Sequence, residues 1–237
     1  MNQTDPRAAI AALLSAQPND ALASYFALEH DPRRTRLTLR FDARGQAVAL
    51  IAVCQTGIDL FRPLVVARGD DSAAVRDALR EALTRSRQYL FSIPPALRPD
   101  LESVAHLTGE AMNSLYTLTP GQFKPVVNIL VQTSKTPDGQ LRATIRSRDG
   151  DAAAESGTTW ISSRYAEIFV NVAEPFRRRG LGKSVVSAVS NQVLELKRQP
   201  LYVAAQQNAA SQRLALRLGY QDTGAVELTG ACTKRDG

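Results

Sequence analysis

Residues 177–182, Arg177-Arg178-Arg179-Gly180-Leu181-Gly182, are the one place in this 237-residue sequence where residue types and spacing converge on a definite chemistry, the binding of an anion. The apolar segment YAEIFVNV before them (165–172) reads as a strand. The segment SVVSAVSNQVLELK after them reads as a helix, with Leu181, Val185, Val189 and Val193 at four-residue steps. A helix N-terminus exposes unpaired backbone N–H groups and a partial positive charge. Glycines there let a phosphate approach the backbone closely. Lys183 adds charge beside the three arginines, and Ser184 opens the helix. A glycine turn with solvated arginines would also satisfy this spacing. The nucleoside-triphosphate loop is excluded, because only its ending is imitated by Gly182-Lys183-Ser184, and the dinucleotide fingerprint is excluded, because no Gly-x-Gly-x-x-Gly follows a strand.

Two further groups could take part in proton transfer. Glu167 lies on the strand that enters the loop, and alternation puts Glu167, Phe169 and Asn171 on one face. A carboxylate on a half-buried strand suits general-base work, although a structural hydrogen-bond acceptor is the competing reading. Tyr220 ends the segment Asn208 to Tyr220 (NAASQRLALRLGY), in which Asn208 or Ser211 can cap a helix and Gly219 suits the left-handed position after it. Tyr220 is either a proton donor or an apolar residue closing that helix. Trp160 and Tyr165 are candidates for a pocket wall, with core packing the simpler account of Trp160.

Other chemistries are poorly served. Cys54 and Cys232 are the only cysteines and His30 and His106 the only histidines, which excludes a disulfide scaffold and a Cys/His-rich zinc site, so no metal is expected. The net charge of +6 suits an anionic partner or a phosphorylated cofactor, but no basic stripe interleaved with aromatics points to nucleic acid. No apolar run is long enough to cross a membrane. The start, MNQTDPRAAI, lacks a basic region before its apolar stretch, so a cytoplasmic location is expected.

The elements that must position these residues fall into two halves. The first reads as helices at AAIAALLSA and DALASYFALEH, then strands RLTLRF, QAVALIAVC and DLFRPLVVA, the last two separated by a turn QTGI. A helix DDSAAVRDALREALTRS, a strand YLFSI, a helix PALRPDLESVAHL and a strand SLYTLT follow. Pro120-Gly121 marks the expected boundary, giving domains 1–122 and 123–237. The second half reads as strands VVNILVQ, LRATIRSR, TTWIS and YAEIFVNV, with turns TPDGQ and RDGDAAAESG between them. The helix after Gly182, strand LYVAA, helix NAASQRLALRL and a brief tail complete it. Both halves share the order strands, helix, strand, helix, strand. That order predicts a mixed α/β (α+β) fold with a mostly antiparallel sheet flanked by helices, present twice in tandem.

Arg-x-x-Gly-x-Gly after a strand ending in Val, followed about 25 residues later by Asn-x-x-Ser-x-x-Leu-x-x-x-Leu-Gly-Tyr, resembles the GCN5-related N-acetyltransferases (GNAT) over about residues 141–228. The resemblance implies acetyl-CoA as co-substrate and transfer of its acetyl group to a primary amine of a small-molecule or peptide acceptor. Residues 177–182, with Lys183 and Ser184, would hold the coenzyme pyrophosphate. Phe169, Val170, Asn171 and Val172 would pair through their backbone with the pantetheine arm, and Asn208 would contact that arm. Tyr220 would protonate the departing thiolate and Glu167 would serve as base. A non-catalytic acyl-CoA-binding regulatory module is the alternative. No nucleic-acid or membrane partner is implied, and a homodimer is allowed.

The two helices that usually open the family's fold are not visible after residue 122, which leaves the first half as a candidate for the missing wall of the acceptor cleft. At its own strand–helix junction that half carries Gly69-Asp70-Asp71, whose carboxylates would repel a pyrophosphate. One coenzyme site per chain is therefore expected, with the first half a degenerate copy.

Overall fold

The computed structural model describes residues 6–57 and 59–235, in two compact units: Met1–Asn113 with Ala225–Gly237, and Ser114–Gly224. The chain runs α1 (Pro6–Leu13), α2 (Ala21–Ser24), β1 (Thr35–Phe41), β2 (Ala47–Cys54), β3 (Leu64–Gly69), α3 (Ser72–Ala82), β4 (Gln88–Ile93), α4 (Arg98–Val104) and β5 (Ala105–Thr117). It continues with β6 (Gln132–Lys135), β7 (Leu141–Arg146), β8 (Ala152–Ile161), β9 (Tyr165–Val172), α5 (Leu181–Glu195), β10 (Gln199–Ala205), α6 (Ala209–Leu218) and β11 (Gln221–Lys234). No helix among the described residues is long and apolar enough to cross a membrane.

In the first unit β1, β2 and β3 pair antiparallel, β3 and β4 pair parallel, and Leu228–Thr233 of β11 pair antiparallel with β4. The near-continuous apolar run of β2 is what a strand covered on both faces requires, and Ala49 to Ala52 are all buried. On one face Ile51, Val65 and Ala67 meet Val75 and Leu79 of α3. On the other, Ala52, Cys54 and Val66 meet Ala23 and Phe26. Asp71 starts α3 by accepting the N–H groups of Ala73 and Ala74, so this carboxylate is a helix cap.

The parallel pairing of β3 with β4 stops at Val66 and Ser92. Beyond it the Arg68 side chain is buried in a closed ionic cluster. Its Nε donates to Asp20 Oδ1 at 2.8 Å and its Nη2 donates to Glu227 Oε1, while Ser92 Oγ donates to Glu227 Oε2 at 3.0 Å. Burial pushes the Glu227 carboxyl above its ordinary pKa, against the pull of Arg68 and Ser92.

The second unit repeats the scheme. β6, β7, β8 and β9 pair antiparallel and β9 and β10 pair parallel, with the end of β5 beside β10, where Leu118 N–H donates to Pro200 O at 3.2 Å. Val185, Val186, Val189 and Val193 of α5 pack on Ala143, Ile145 and Ile168. Each unit is thus a mixed, mostly antiparallel sheet flanked by helices, as the alternation of elements predicts.

Several expectations need correction. Residues 126–131 are not a strand but an extended strap. Val126 N–H donates to Ser187 Oγ at 2.8 Å, and Asn128 Oδ1 turns the chain by accepting the Leu130 N–H. β8 begins at Ala152 and absorbs residues expected in a turn, while β5 begins at Ala105, nine residues before the expected start at Ser114. β3 begins at Leu64 rather than Asp59, because Asp59 folds residues 59–62 into a turn by accepting the Phe61 and Arg62 N–H groups. Ile58, at the end of the expected QTGI turn, lies outside the described residues. The tail is one 14-residue strand. The units do not follow the single expected division at 122/123, because β11 runs on from Gly224 to pair with β4.

Replacing Arg68 by Ala leaves Glu227 and Asp20 buried without their cation, and a broken buried pair typically loses about 3–5 kcal/mol. Urea unfolding of Arg68→Ala should show a loss of that order. A loss below about 1 kcal/mol would mean that the cluster is not dry.

Candidate active site

The arginine–glycine loop folds as the leading strand and following helix dictate. A short helical turn, Glu174–Phe176, leads from β9 into residues 177–180, all exposed. Arg178 and Gly180 both adopt left-handed backbone, with φ of 64° and 79°. Such a conformation is rare for arginine, and backbone turned this way points successive N–H groups into a shared concavity that suits an anion. Gly180 is the N-cap of α5, no side chain caps the helix, and Ser184 N–H donates to Gly180 O at 3.2 Å. The amides ahead of Ser184 are therefore left at the mouth of the loop. Arg177 Nε donates to Val172 O at 3.2 Å, and the Arg179 guanidinium lies 5.4 Å from the centre of the Phe176 ring.

The two glycines serve different ends. Gly180 has open space where a Cβ would be and is needed for its φ. Gly182 is buried, and a Cβ there would stand 3.1 Å from Val172 Cγ2 and 3.2 Å from Leu214 Cδ1. It lets the first turn of α5 press onto β9.

β9 and β10 part beside this loop. Their parallel register runs from Tyr165↔Gln199 to Ile168↔Tyr202 and ends there, while β9 continues to Val172 and β10 to Ala205. On its other edge β9 stays paired with β8 as far as Ala154↔Val172. Phe169, Val170, Asn171 and Val172 therefore have one strand edge without a β10 partner in this register. Asn208 caps α6 by accepting the Ser211 N–H at 3.0 Å, and Gly219 (φ 96°) ends that helix.

Val170 and Val172 pack toward α5, and Glu167, Phe169 and Asn171 lie on the opposite face. Glu167 is half-buried, and its Oε2 accepts from Thr159 Oγ1 at 2.7 Å. The Arg142 guanidinium sits 5.0 Å from the centre of the Phe169 ring. Tyr220 is different: it is only 2% exposed, and its hydroxyl meets Ser190 Oγ at 2.8 Å within the valine core under α5. Burial pushes its pKa up. Trp160 and Tyr165 are buried too. Among the described residues no group of three or more His, Cys, Asp or Glu could hold a metal.

Residues 148–228 match the family described as FR47-like protein, which is related to the GNAT acetyltransferases. A GCN5-related N-acetyltransferase from Kribbella flavida superposes with a TM-score of 0.65 at 17% identity, covering 94% of this chain and 98% of that one. This is a GNAT-fold chain. A tandem GNAT protein from the clavulanic acid biosynthesis pathway superposes at 0.58 with 15% identity over 98% and 93% of the two chains. A GCN5-related N-acetyltransferase-like protein from Streptococcus suis gives 0.58, 14%, 92% and 98%. No curated protein sequence matches.

The second unit also uses Ser187, Ser190 and Asn128, which the sequence did not single out, and gives Ser184 a structural bond besides its expected place at the start of α5. Ser184, Ser187 and Ser190 recur every three residues along α5 and bind Asn128 Nδ2 (3.2 Å), Val126 N–H and the Tyr220 hydroxyl. This seam fastens the strap across the helix that carries the loop. The available signal was a serine column inside an apolar helix, together with an Asn in the middle of an apolar run.

Gly182→Val forces a branched side chain against Val172 and Leu214 and should lose about 1–3 kcal/mol by overpacking. Gly180→Ala clashes with nothing and should lose about 1–2 kcal/mol through its left-handed backbone alone. Chemical unfolding measures both losses: a neutral Gly182→Val would contradict the close seating of α5 on β9.

Proposed function

We propose that the second unit binds acetyl-CoA and transfers its acetyl group to a primary amine. The observation that carries this reading is the parting of β9 from β10 beside an uncapped helix N-terminus. A strand edge without a partner seeks an amide-bearing arm, and a helix N-terminus flanked by Arg177, Arg178, Arg179 and Lys183 seeks a phosphate. A pyrophosphate joined to a chain of amides presents both groups. In this proposal residues 178–183 hold the pyrophosphate through backbone N–H groups, Phe169–Val172 pair with the pantetheine arm, and Asn208 holds the start of α6 beside it. The first unit then carries no coenzyme, since its parted strands enclose the Arg68 cluster and its helix N-terminus is capped by Asp71.

Bound there, acetyl-CoA supplies an activated acetyl group as a thioester. The chain's part is to free the amine and place it. An alkylamine has a pKa near 10.4, so at neutral pH it must lose a proton before it attacks. Glu167 suits that task, directly or through water, because it lies on the β9 face away from α5 and is held by Thr159. Tyr220 is assigned to packing in this proposal, since its hydroxyl is enclosed and committed to Ser190. A thiolate with a conjugate-acid pKa near 8.5 can take its proton from water.

That enclosure of Tyr220 also favours a second reading, a unit that binds acyl-CoA without turnover. Acetyl-CoA calorimetry with the native chain and with Gly180→Asp plus Arg178→Ala tests binding, and thiol release across a panel of amines tests turnover. The enzyme reading expects micromolar binding lost in the double variant and release that falls about a hundredfold or more in Glu167→Gln. Tyr220→Phe should keep its rate and lose about 0.5–1.5 kcal/mol of stability. Binding without release from any amine would favour the non-catalytic reading, and no binding would sink both.

A further inference from the structure

The basic surplus of this chain has a second focus, and it lies in the first unit. Where β1 begins and β2 ends, Arg33, Arg34, Arg36 and Arg87 line a concavity of about 210 Å³ together with Gln55 and Thr84. No acidic residue lines it. Among the described residues none of these four guanidiniums has an ion-pair partner, whereas Arg40 and Arg98 each hold two carboxylates. Like charges gathered without counter-charges repel, and they are relieved when an anion enters.

The surroundings hold the arginines in place. Gln55 N–H donates to Arg34 O at 2.8 Å, and Arg36 Nη2 donates to Ala82 O. The nearby carboxylate of Asp31 accepts the backbone N–H of Arg33 at 2.9 Å and so fixes that turn. The Arg87 guanidinium lies 5.8 Å from the centre of the Tyr89 ring. His30 reports the local field: its pKa is lowered by burial first and by the charge of Arg34 second.

Guanidinium forks match the oxygens of a phosphate, and the Gln55 amide and Thr84 hydroxyl add neutral donors. The volume is below the roughly 300–1,000 Å³ that encloses a drug-sized ligand, so the cavity suits a charged group and not a whole cofactor. We infer that the arginine cavity at the start of β1 is a binding site for a phosphate or diphosphate group. Leu60 and Phe61 bear on where that group comes from. They are 78% and 87% exposed on the loop leading to Pro63, which also lines the cavity. Apolar side chains so placed would enter a bilayer if the phosphate belonged to a lipid headgroup.

Calorimetry with inorganic pyrophosphate tests the site, using the native chain, Gly180→Asp, which disables the loop at the start of α5, and the double reversal Arg34→Glu plus Arg87→Glu made in the Gly180→Asp chain. All four arginines are exposed, and thermal unfolding checks that the charge-reversed protein is folded. The native chain and Gly180→Asp should both bind, and the double reversal should bind at least about tenfold more weakly. Binding that survives the double reversal, or that vanishes with Gly180→Asp, would overturn the assignment, as would no binding by the native chain. Sedimentation with phosphatidylcholine vesicles containing phosphatidic acid then identifies the source. Co-sedimentation reduced by Phe61→Ala assigns the phosphate to a lipid, and pyrophosphate binding without co-sedimentation assigns it to a soluble molecule.

Discussion

Backbone N–H and C=O groups that leave a sheet must find other partners, and the most consequential departure in this chain comes after Ile168 and Tyr202. Up to that pair β9 and β10 are an ordinary parallel ladder. Beyond it β9 keeps its pairing with β8 on one edge and loses it on the other. The surrounding elements hold this opening in place. α5 is seated on β9 through Gly182, the valine column of α5 fills the core beneath, and the strap 126–131 is tied to the same helix through Ser184 and Ser187. The uncapped N-terminus of α5 and the open edge of β9 are therefore positioned together by these contacts.

The same layout in the first unit shows how little is needed to close such an opening. β3 and β4 part in the same way after Val66 and Ser92, but an arginine follows on β3, and two carboxylates and a serine complete its bonding. The corresponding helix begins on Asp71, whose carboxylate occupies the N–H groups that α5 leaves uncapped. The two units thus share a layout and differ at these ends: one strand end and one helix end are satisfied internally in the first unit and left open in the second.

Much of this was legible in the sequence because it depends on local rules. The valine column of α5, the Asn208 cap, the left-handed Gly219 and the apolar run of β2 each declare an element from its own residues. What was not legible depends on tertiary partners. The run VVNILVQ has strand composition, yet Asn128 and the α5 serines turn residues 126–131 into a strap. Tyr220 follows a helix end in a position that suits a proton donor, but only the packing shows its hydroxyl spent on Ser190. The last strand looked brief because its partner, β4, lies more than 130 residues earlier in the chain. The carboxylates of Asp70 and Asp71 suggested repulsion at the first unit's junction, whereas the buried cluster around Arg68 was invisible, since Asp20, Arg68 and Glu227 are far apart in sequence.

The most direct measurement is amide hydrogen exchange of the whole chain with and without acetyl-CoA. The account predicts slowed exchange at 169–172 and 178–183, with no change at 67–72 in the first unit. Protection at 67–72, or none at 169–172 despite saturating coenzyme, would contradict the claim that the parted strands of the second unit form the coenzyme site.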